Sequence, residues 1–150
     1  MTINTRAGAA RDADSWATLR HALWPEATEA EHRAEIDLFF AGSAREPLAV
    51  RVAEDVGGRI IGFAELSIRP HAEGCRTDRV AFVEGWYVAP DTRNEGVGRA
   101  LIGAAEAWAR EQGCTELASD TEADNEASTA AHLALGFEDA GLVRCFRKDL

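Results

Sequence analysis

The feature that most constrains the fold of this chain is a strand that is followed by a turn with two closely spaced glycines and then by a helix. The apolar run from Val80 to Ala89 predicts a strand that stops at Pro90-Asp91. Arg93-Asn94-Glu95-Gly96-Val97-Gly98 comes next, and an amphipathic helix is predicted over 97–112. Glycines let the backbone approach a ligand closely, and the unpaired N–H groups of a helix N-terminus bind phosphate oxygens. The stretch therefore predicts an anion-binding loop, although a glycine-rich turn alone is weak evidence.

Length and composition predict one domain over residues 1–150. The chain is 46% hydrophobic, and 150 residues are enough to bury a real core. No signal-like start and no apolar run of membrane-spanning length is present, so we expect a cytoplasmic protein without a membrane partner. Cys75, Cys114 and Cys145 are odd in number and form no CxxC pair. Free thiols are therefore expected, with neither a disulfide nor a metal site.

The net charge is strongly negative, at −10 from 26 acidic and 16 basic residues. Nucleic acid is an unfavourable partner for such a surface because phosphates need basic side chains. Cationic molecules would instead be attracted. A soluble acidic enzyme of any kind also fits this charge, so the charge alone names no substrate.

Hydrophobic periodicity and turn signals predict the remaining elements. Thr28 and Glu31 have the spacing of a capping box, and Asp12 or Asp14 is suited to cap the helix before it. The predicted strands span 2–7, 48–53, 59–68, 80–89, 115–119 and 142–148, and the predicted helices span about 12–23, 29–41, 97–112 and 125–136. The basic residues of the last strand are most simply a solvated sheet edge.

Two carboxylates are candidates for chemistry. Glu84 stands in the middle of a strand that is otherwise apolar on both faces, where an unpaired charge costs several kcal/mol. It therefore either faces a wet cleft or forms a structural ion pair with an arginine. Asp120 follows the strand 115–119 at its carboxyl end, where ligands of α/β sheets collect.

The predicted order β-α-α-β-β-β-α-β-α-β resembles the Gcn5-related N-acetyltransferase fold over the whole chain. That resemblance implies a mixed α/β fold with a mostly antiparallel central sheet, splayed strands 4 and 5 and flanking helices. Five short motifs in the correct order further resemble the bacterial aminoglycoside 6′-N-acetyltransferases: Leu23-Trp24-Pro25, Ser67-Ile68-Arg69, Phe82-Val83-Glu84-Gly85, Ala118-Ser119-Asp120, and His132 with Leu135-Gly136-Phe137.

The resemblance implies acetyl-CoA as cosubstrate and an aminoglycoside or another polyamine-like small molecule as acceptor. Relatives are commonly dimers, so a homodimer is expected by analogy. The implied cofactor contacts are the main chain of Trp86, Tyr87 and Val88, the loop residues Asn94, Glu95, Gly96, Val97, Gly98 and Arg99, and Asn125. The implied acceptor contacts are Trp24, His71, Glu84 and Asp120, of which Glu84 and Asp120 would be catalytic.

The chain departs from its relatives at several positions, and alternatives stay open. His132 and Phe146 stand where relatives place tyrosines, and Gly141 stands about where some have an acidic substrate ligand. The general acid is therefore unassigned. A polyamine, a small metabolite amine or a protein N-terminus is a rival acceptor, and a non-catalytic acyl-CoA-binding protein is a rival of another class.

Overall fold

The computed structural model describes residues 2–150. This part of the chain forms a five-stranded sheet in the order β1-β2-β3-β4-β5, with four α-helices. The elements are β1 Asn4–Ala7, α1 Ala13–Leu23, α2 Glu29–Phe40, β2 Ala49–Glu54, β3 Ile60–Arg69, β4 Val80–Val88, α3 Val97–Glu111, β5 Leu117–Ser119 and α4 Glu126–Ala134, with short 3-10 turns at Ala10–Asp12 and Pro90–Thr92.

Local sequence signals explain where the helices begin. The predicted capping box of α2 is formed, since Glu31 N donates to Thr28 Oγ1 at 3.1 Å and Thr28 N donates to Glu31 Oε1 at 3.2 Å. Asp12 precedes α1 as predicted, but its side chain does not cap that helix. Its carboxylate instead binds the Arg6 guanidinium at 2.7 Å, because β1 places that charge beside it.

The sheet opens between β4 and β5. Strands β1 to β4 pair antiparallel, whereas β4 and β5 run parallel and pair only where 81–83 face Leu117–Ser119. Beyond Val83, β4 continues to Val88 without a neighbour on that side. The splayed, mostly antiparallel sheet expected from the sequence is therefore confirmed.

Two apolar layers cover the sheet. Helices α1 and α2 pack on one face around the fully buried Trp16, Ile36 and Phe63. Helix α3 packs on the other face, with Leu101, Ile102 and Trp108 in the same cluster as Ile61 and Leu66. Because both faces of β3 and β4 are covered, a charged side chain on these strands must find a partner or reach the opening.

One predicted strand is absent from the described chain. Residues 142–148 were expected to form the last strand, but residues 138–150 contain neither helix nor strand and are exposed throughout. An extended segment becomes a strand only when another strand satisfies its backbone groups, and this segment does not pair with the edge of its own sheet.

The three cysteines are free thiols, as expected. None of the helices in residues 2–150 combines the length and the apolar character needed to cross a membrane.

Candidate active site

Glu84 lies on a β-bulge at the point where the sheet opens. The β3–β4 register passes from Glu65 opposite Gly85 to Leu66 opposite Val83, so Glu84 is the extra residue of β4. Bulges redirect a side chain and increase the local twist. The bulge therefore turns this carboxylate towards the end of β3 rather than into the apolar layer.

Arg69 and Ser67 hold the Glu84 carboxylate. Arg69 Nε donates to Oε1 at 2.9 Å and Nη2 donates to Oε2 at 2.6 Å, and the Ser67 hydroxyl also donates to Oε1. The arginine ion pair that the sequence left open as an alternative is thus formed. Ser67 and Arg69 belong to one of the five motifs named above, but no contact or function was predicted for either side chain. Their two-residue spacing, which puts both side chains on one face of β3, was the signal that could have found them.

Asp120 completes a small charged cluster at the opening. It follows β5 directly and is exposed. The hydrogen bond to Glu84 is the main reason why the pKa of Arg69 is raised, and the negative charges of Asp120 and Glu46 add to it. The two predicted carboxylates therefore share the neighbourhood of one guanidinium.

Trp24 covers the strand next to Glu84. A Cβ atom at Gly85 would lie 2.5 Å from Trp24 Cη2, so only glycine lets the indole pack this closely on β4. His32 Nε2 lies 2.9 Å from the Trp24 carbonyl oxygen, and the Arg20 guanidinium lies 5.2 Å from the ring centroid. These contacts fix the position of the indole beside Glu84.

A third carboxylate, Glu65, is buried on β3 opposite Gly85. Its Oε2 accepts from Trp16 Nε1 at 3.0 Å and lies 3.0 Å from Arg20 Nε. Burial raises the pKa of Glu65 to about 7, although the charge of Arg20 and the Trp16 hydrogen bond oppose the rise. Sequence reasoning missed this residue, even though Glu65 stands in an apolar strand just as Glu84 does.

The glycine-rich loop presents backbone N–H groups at the start of α3. Asn94 and Gly96 both have positive φ angles, of 64° and 89°, and Gly96 is the N-cap of α3. The first turn of α3 has no side-chain cap and no acidic residue. Such a turn binds anions through its N–H groups and the positive end of the helix dipole. Gly98 has a different role, since a Cβ atom there would lie 3.1 Å from Trp86 Cζ2.

The end of β4 offers free peptide groups to the gap. Ala89 N donates to the Ile61 carbonyl, and Gly62 is opposite Val88. Because peptide groups alternate in direction along an antiparallel strand, those of Trp86 and Val88 point away from β3, while those of Tyr87 face its partner Phe63. The peptide groups of Trp86 and Val88, which were predicted to contact the cofactor, therefore face the gap between β4 and β5, whereas those of Tyr87 do not.

Three other predicted or flagged residues have structural contacts. Asn125 is the N-cap of α4 and accepts from Ser128 N at 3.0 Å. His71 lies in an exposed loop, 3.8 Å from Glu73. His132 packs edge-on against Trp86, with Nδ1 2.7 Å from the Ser128 carbonyl and Nε2 2.8 Å from Ser119 Oγ. Since a carbonyl only accepts, the neutral imidazole carries its proton on Nδ1 and accepts from the Ser119 hydroxyl.

A splayed sheet, an uncapped glycine-rich turn at the start of α3 and carboxylates at the sheet opening are together typical of an acyltransferase that uses a phosphate-bearing carrier. The model of the acetyltransferase (GNAT) family matches residues 16–137. The chain therefore belongs to the GNAT acetyltransferase family.

The similar relatives and solved structures described next are aminoglycoside N-acetyltransferases. The chain is 55% identical over 139 residues to an aminoglycoside N(6′)-acetyltransferase type 1 of Klebsiella aerogenes, with 93% of this chain and 91% of that protein aligned. It matches AAC(6′)-Iy in complex with the bisubstrate analog CoA-S-monomethyl-acetylneamine with a TM-score of 0.90 and 35% identity, covering 100% of both chains. AAC(6′)-Ih of Acinetobacter baumannii matches with a TM-score of 0.89 and 33% identity, covering 99% of both chains.

Proposed function

We propose that this chain is an aminoglycoside 6′-N-acetyltransferase, a single domain that transfers the acetyl group of acetyl-CoA and so confers antibiotic resistance. The observation that carries the proposal is the placement of Glu84 and Asp120 at the β4–β5 opening, and the uncapped turn at Gly96 at the start of α3 supports it. The two carboxylates are suited to bind an amino sugar with several ammonium groups, and the turn is suited to bind a pyrophosphate. The relatives' names and the analog bound to AAC(6′)-Iy support the same pairing.

Acetyl-CoA would bind along the splayed gap. The turn from Asn94 to Arg99 would hold the pyrophosphate through backbone N–H groups, without a metal ion. The peptide groups of Trp86 and Val88 would pair with the pantetheine arm as a further strand would. In this arrangement Tyr87 supports the strand from the β3 side, and Asn125 contributes by fixing the start of α4 near the cofactor.

Asp120 is the better placed base of the two carboxylates. Both Glu84 oxygens already accept from Arg69, whereas Asp120 is exposed at the end of β5. Asp120 would remove a proton from the 6′-ammonium, directly or through water, so that the neutral amine can attack the thioester. Glu84 and Trp24 would then orient the amino sugar, and His71 would contact it from the exposed loop.

The transfer step would then proceed without a covalent enzyme intermediate. The amine nitrogen would bond to the acetyl carbonyl carbon, and the oxyanion that forms would accept a hydrogen bond from the Val88 N–H. As the C–S bond breaks, the extra proton of the acetylated amine would pass, directly or through water, to the departing thiolate, and Asp120 would release the proton that it accepted to solvent.

We further propose a homodimer that works in the cytoplasm. Three free thiols and the need for acetyl-CoA support that compartment. A second copy is the expected macromolecular partner.

An acceptor panel tests the activity. CoA release is measured with acetyl-CoA and an aminoglycoside, a polyamine or a peptide with a free N-terminus. We expect turnover with the aminoglycoside and little with the others. Turnover confined to the polyamine or the peptide would favour the rival acceptors, and acetyl-CoA binding without any turnover would favour a non-catalytic protein.

A further inference from the structure

Two charged side chains that the transfer chemistry does not use, Glu65 and Arg20, are buried against each other. Glu65 is 2% exposed and Arg20 is 8% exposed. Arg20 Nε lies 3.0 Å from Glu65 Oε2 without the geometry of a hydrogen bond, so charge is what holds this contact. Arg20 Nη2 lies 2.9 Å from Glu35 Oε2. From its position on α1, the guanidinium therefore joins β3 to α2.

Stability alone is a poor reason for such a buried pair. Taking two charges out of water costs free energy that their attraction often only just repays, and apolar side chains of similar volume are often as good or better. Ionic groups differ from apolar ones in fixing the place and direction of their partners. A specific use of the pair therefore has to lie in what it holds in place, and its neighbour is the Trp24 indole.

Arg20 lies against Trp24 in both side chain and main chain. Trp24 follows Arg20 by four residues at the end of α1, so the two side chains share one face of the helix. The guanidinium carbon lies 5.2 Å from the indole centroid, within the range of a cation–π contact, and Trp24 N donates to the Arg20 carbonyl at 2.8 Å. The indole packs on Gly85, which is directly opposite Glu65 in the β3–β4 register. Glu65, Arg20 and Trp24 thus form one chain of contacts beside the acceptor site.

We propose that Glu65 is a positioning residue of the acceptor site, which acts through Arg20 to hold the Trp24 indole where an aminoglycoside binds. Glu65 itself is buried and does not touch the acceptor. Without its charge, Arg20 would keep only the Glu35 contact, and the indole would lose the fixed partner on its helix face. The inference rests on the proposed function, because that function assigns Trp24 to the acceptor.

The kinetic test removes the charges and keeps the side-chain size. Glu65→Gln and Arg20→Met are assayed at about pH 8, where Glu65, with a pKa of about 7, is mostly ionised. Each should raise KM for an aminoglycoside about 10-fold, while kcat and the KM for acetyl-CoA change by less than about 3-fold, because only acceptor binding is lost. An unchanged KM, or a loss confined to kcat, would overturn the proposal.

Arg33→Met is the matched control. Arg33 also joins α1 to α2, through Asp14 and Asp37, but Asp14 lies roughly 15 Å along α1 from Trp24. This variant should leave all three constants unchanged, and a similar rise in KM would mean that loosening the helix pair is enough.

Arg20→Lys serves if the uncharged variants do not fold. It keeps the cation that compensates Glu65 but replaces the flat guanidinium that faces the indole, so KM for the aminoglycoside should still rise. An unchanged KM in this variant would overturn the proposal.

A double-mutant cycle shows whether Glu65 acts through Trp24. Trp24→Ala alone should raise KM for the aminoglycoside, and adding Glu65→Gln should then raise it little further, because the indole that Glu65 positions is already gone. If the two effects multiply instead, Glu65 acts by another route and the proposal is wrong.

Fluorine NMR follows the indole without any catalysis. The four tryptophans are labelled with 5-fluorotryptophan, and Trp24→Phe identifies the Trp24 resonance. Glu65→Gln should shift or broaden that resonance, whereas Arg33→Met should leave it in place. A Trp24 resonance that does not respond to Glu65→Gln would overturn this inference even if aminoglycosides are acetylated. A response in a protein that acetylates no aminoglycoside would instead support the positioning of Trp24 and contradict the proposed function.

Discussion

Arg69 holds both carboxylate oxygens of Glu84, at 2.9 and 2.6 Å, across a register shift between β3 and β4. The pair is partly buried, with side chains 38% and 17% exposed. Removing one member of such a pair leaves the other poorly compensated, although solvent reduces the cost below that of a fully buried pair.

Arg69→Met should therefore destabilise the fold by about 1–2 kcal/mol in urea denaturation. Arg59→Met is the matched control, because it removes the Arg59–Asp91 pair at the surface and should cost clearly less stability. Equal effects of the two substitutions would mean that the Glu84 pair contributes no more than a surface contact.

Asp120→Asn should lower turnover of an amino sugar by about 10²-fold or more, because the site loses its base. Acetyl-CoA affinity should barely change. Glu84→Gln should also reduce turnover, but by a smaller factor than Asp120→Asn. If instead Glu84→Gln reduced turnover more than Asp120→Asn, the two roles would have to be exchanged.

Gly96→Val should weaken acetyl-CoA binding, as measured by calorimetry, because valine is strained at a φ of 89° and the turn would lose its shape. Gly113→Val is the control, since Gly113 also has a positive φ, of 78°, and leaves room for a Cβ atom as Gly96 does, but it follows α3 at its far end. Both variants should lose stability, and only the first should lose cofactor affinity. Unchanged affinity in a folded Gly96→Val protein would argue against the pyrophosphate site.

The buried Glu65 should make stability depend on pH. Its pKa is raised from an ordinary value of 4.5 to about 7, so the folded state binds more protons than the unfolded state between these values. The free energy of unfolding should therefore fall as pH rises through this window, by at most about 3 kcal/mol from this group. Glu65→Gln should flatten the curve between pH 5 and 7.5, and an unchanged slope would contradict the raised pKa.

Patterns within the sequence predicted most elements because each depends on local chemistry. The capping box at Thr28 and the glycine-rich turn at Gly96 are examples, since their signals lie within a few residues. The spacing of Ser67 and Arg69 puts both side chains on one face of β3, but their pairing with Glu84 depends on a bulge that shifts the β3–β4 register by one residue, and the sequence does not reveal that bulge. Periodicity also predicted a strand at 142–148, but it reports the tendency to be extended and not whether a neighbouring strand is present.

Glu65 was missed for a different reason. Its strand is apolar on either side, so the argument that selected Glu84 applied to it equally. Only the structure distinguishes the two, because Glu65 turns towards Trp16 and Arg20 whereas Glu84 lies at the opening.

The central claim is tested most directly by two aminoglycosides that differ at one position, with an amine or a hydroxyl on the 6′ carbon. CoA release is measured with each, and binding of each is measured by calorimetry. We expect the 6′-amine compound to be acetylated, and the 6′-hydroxyl compound to bind without turnover because its other ammonium groups still meet the carboxylate cluster. Equal acetylation of both compounds, or of neither, would contradict 6′-N-acetyl transfer.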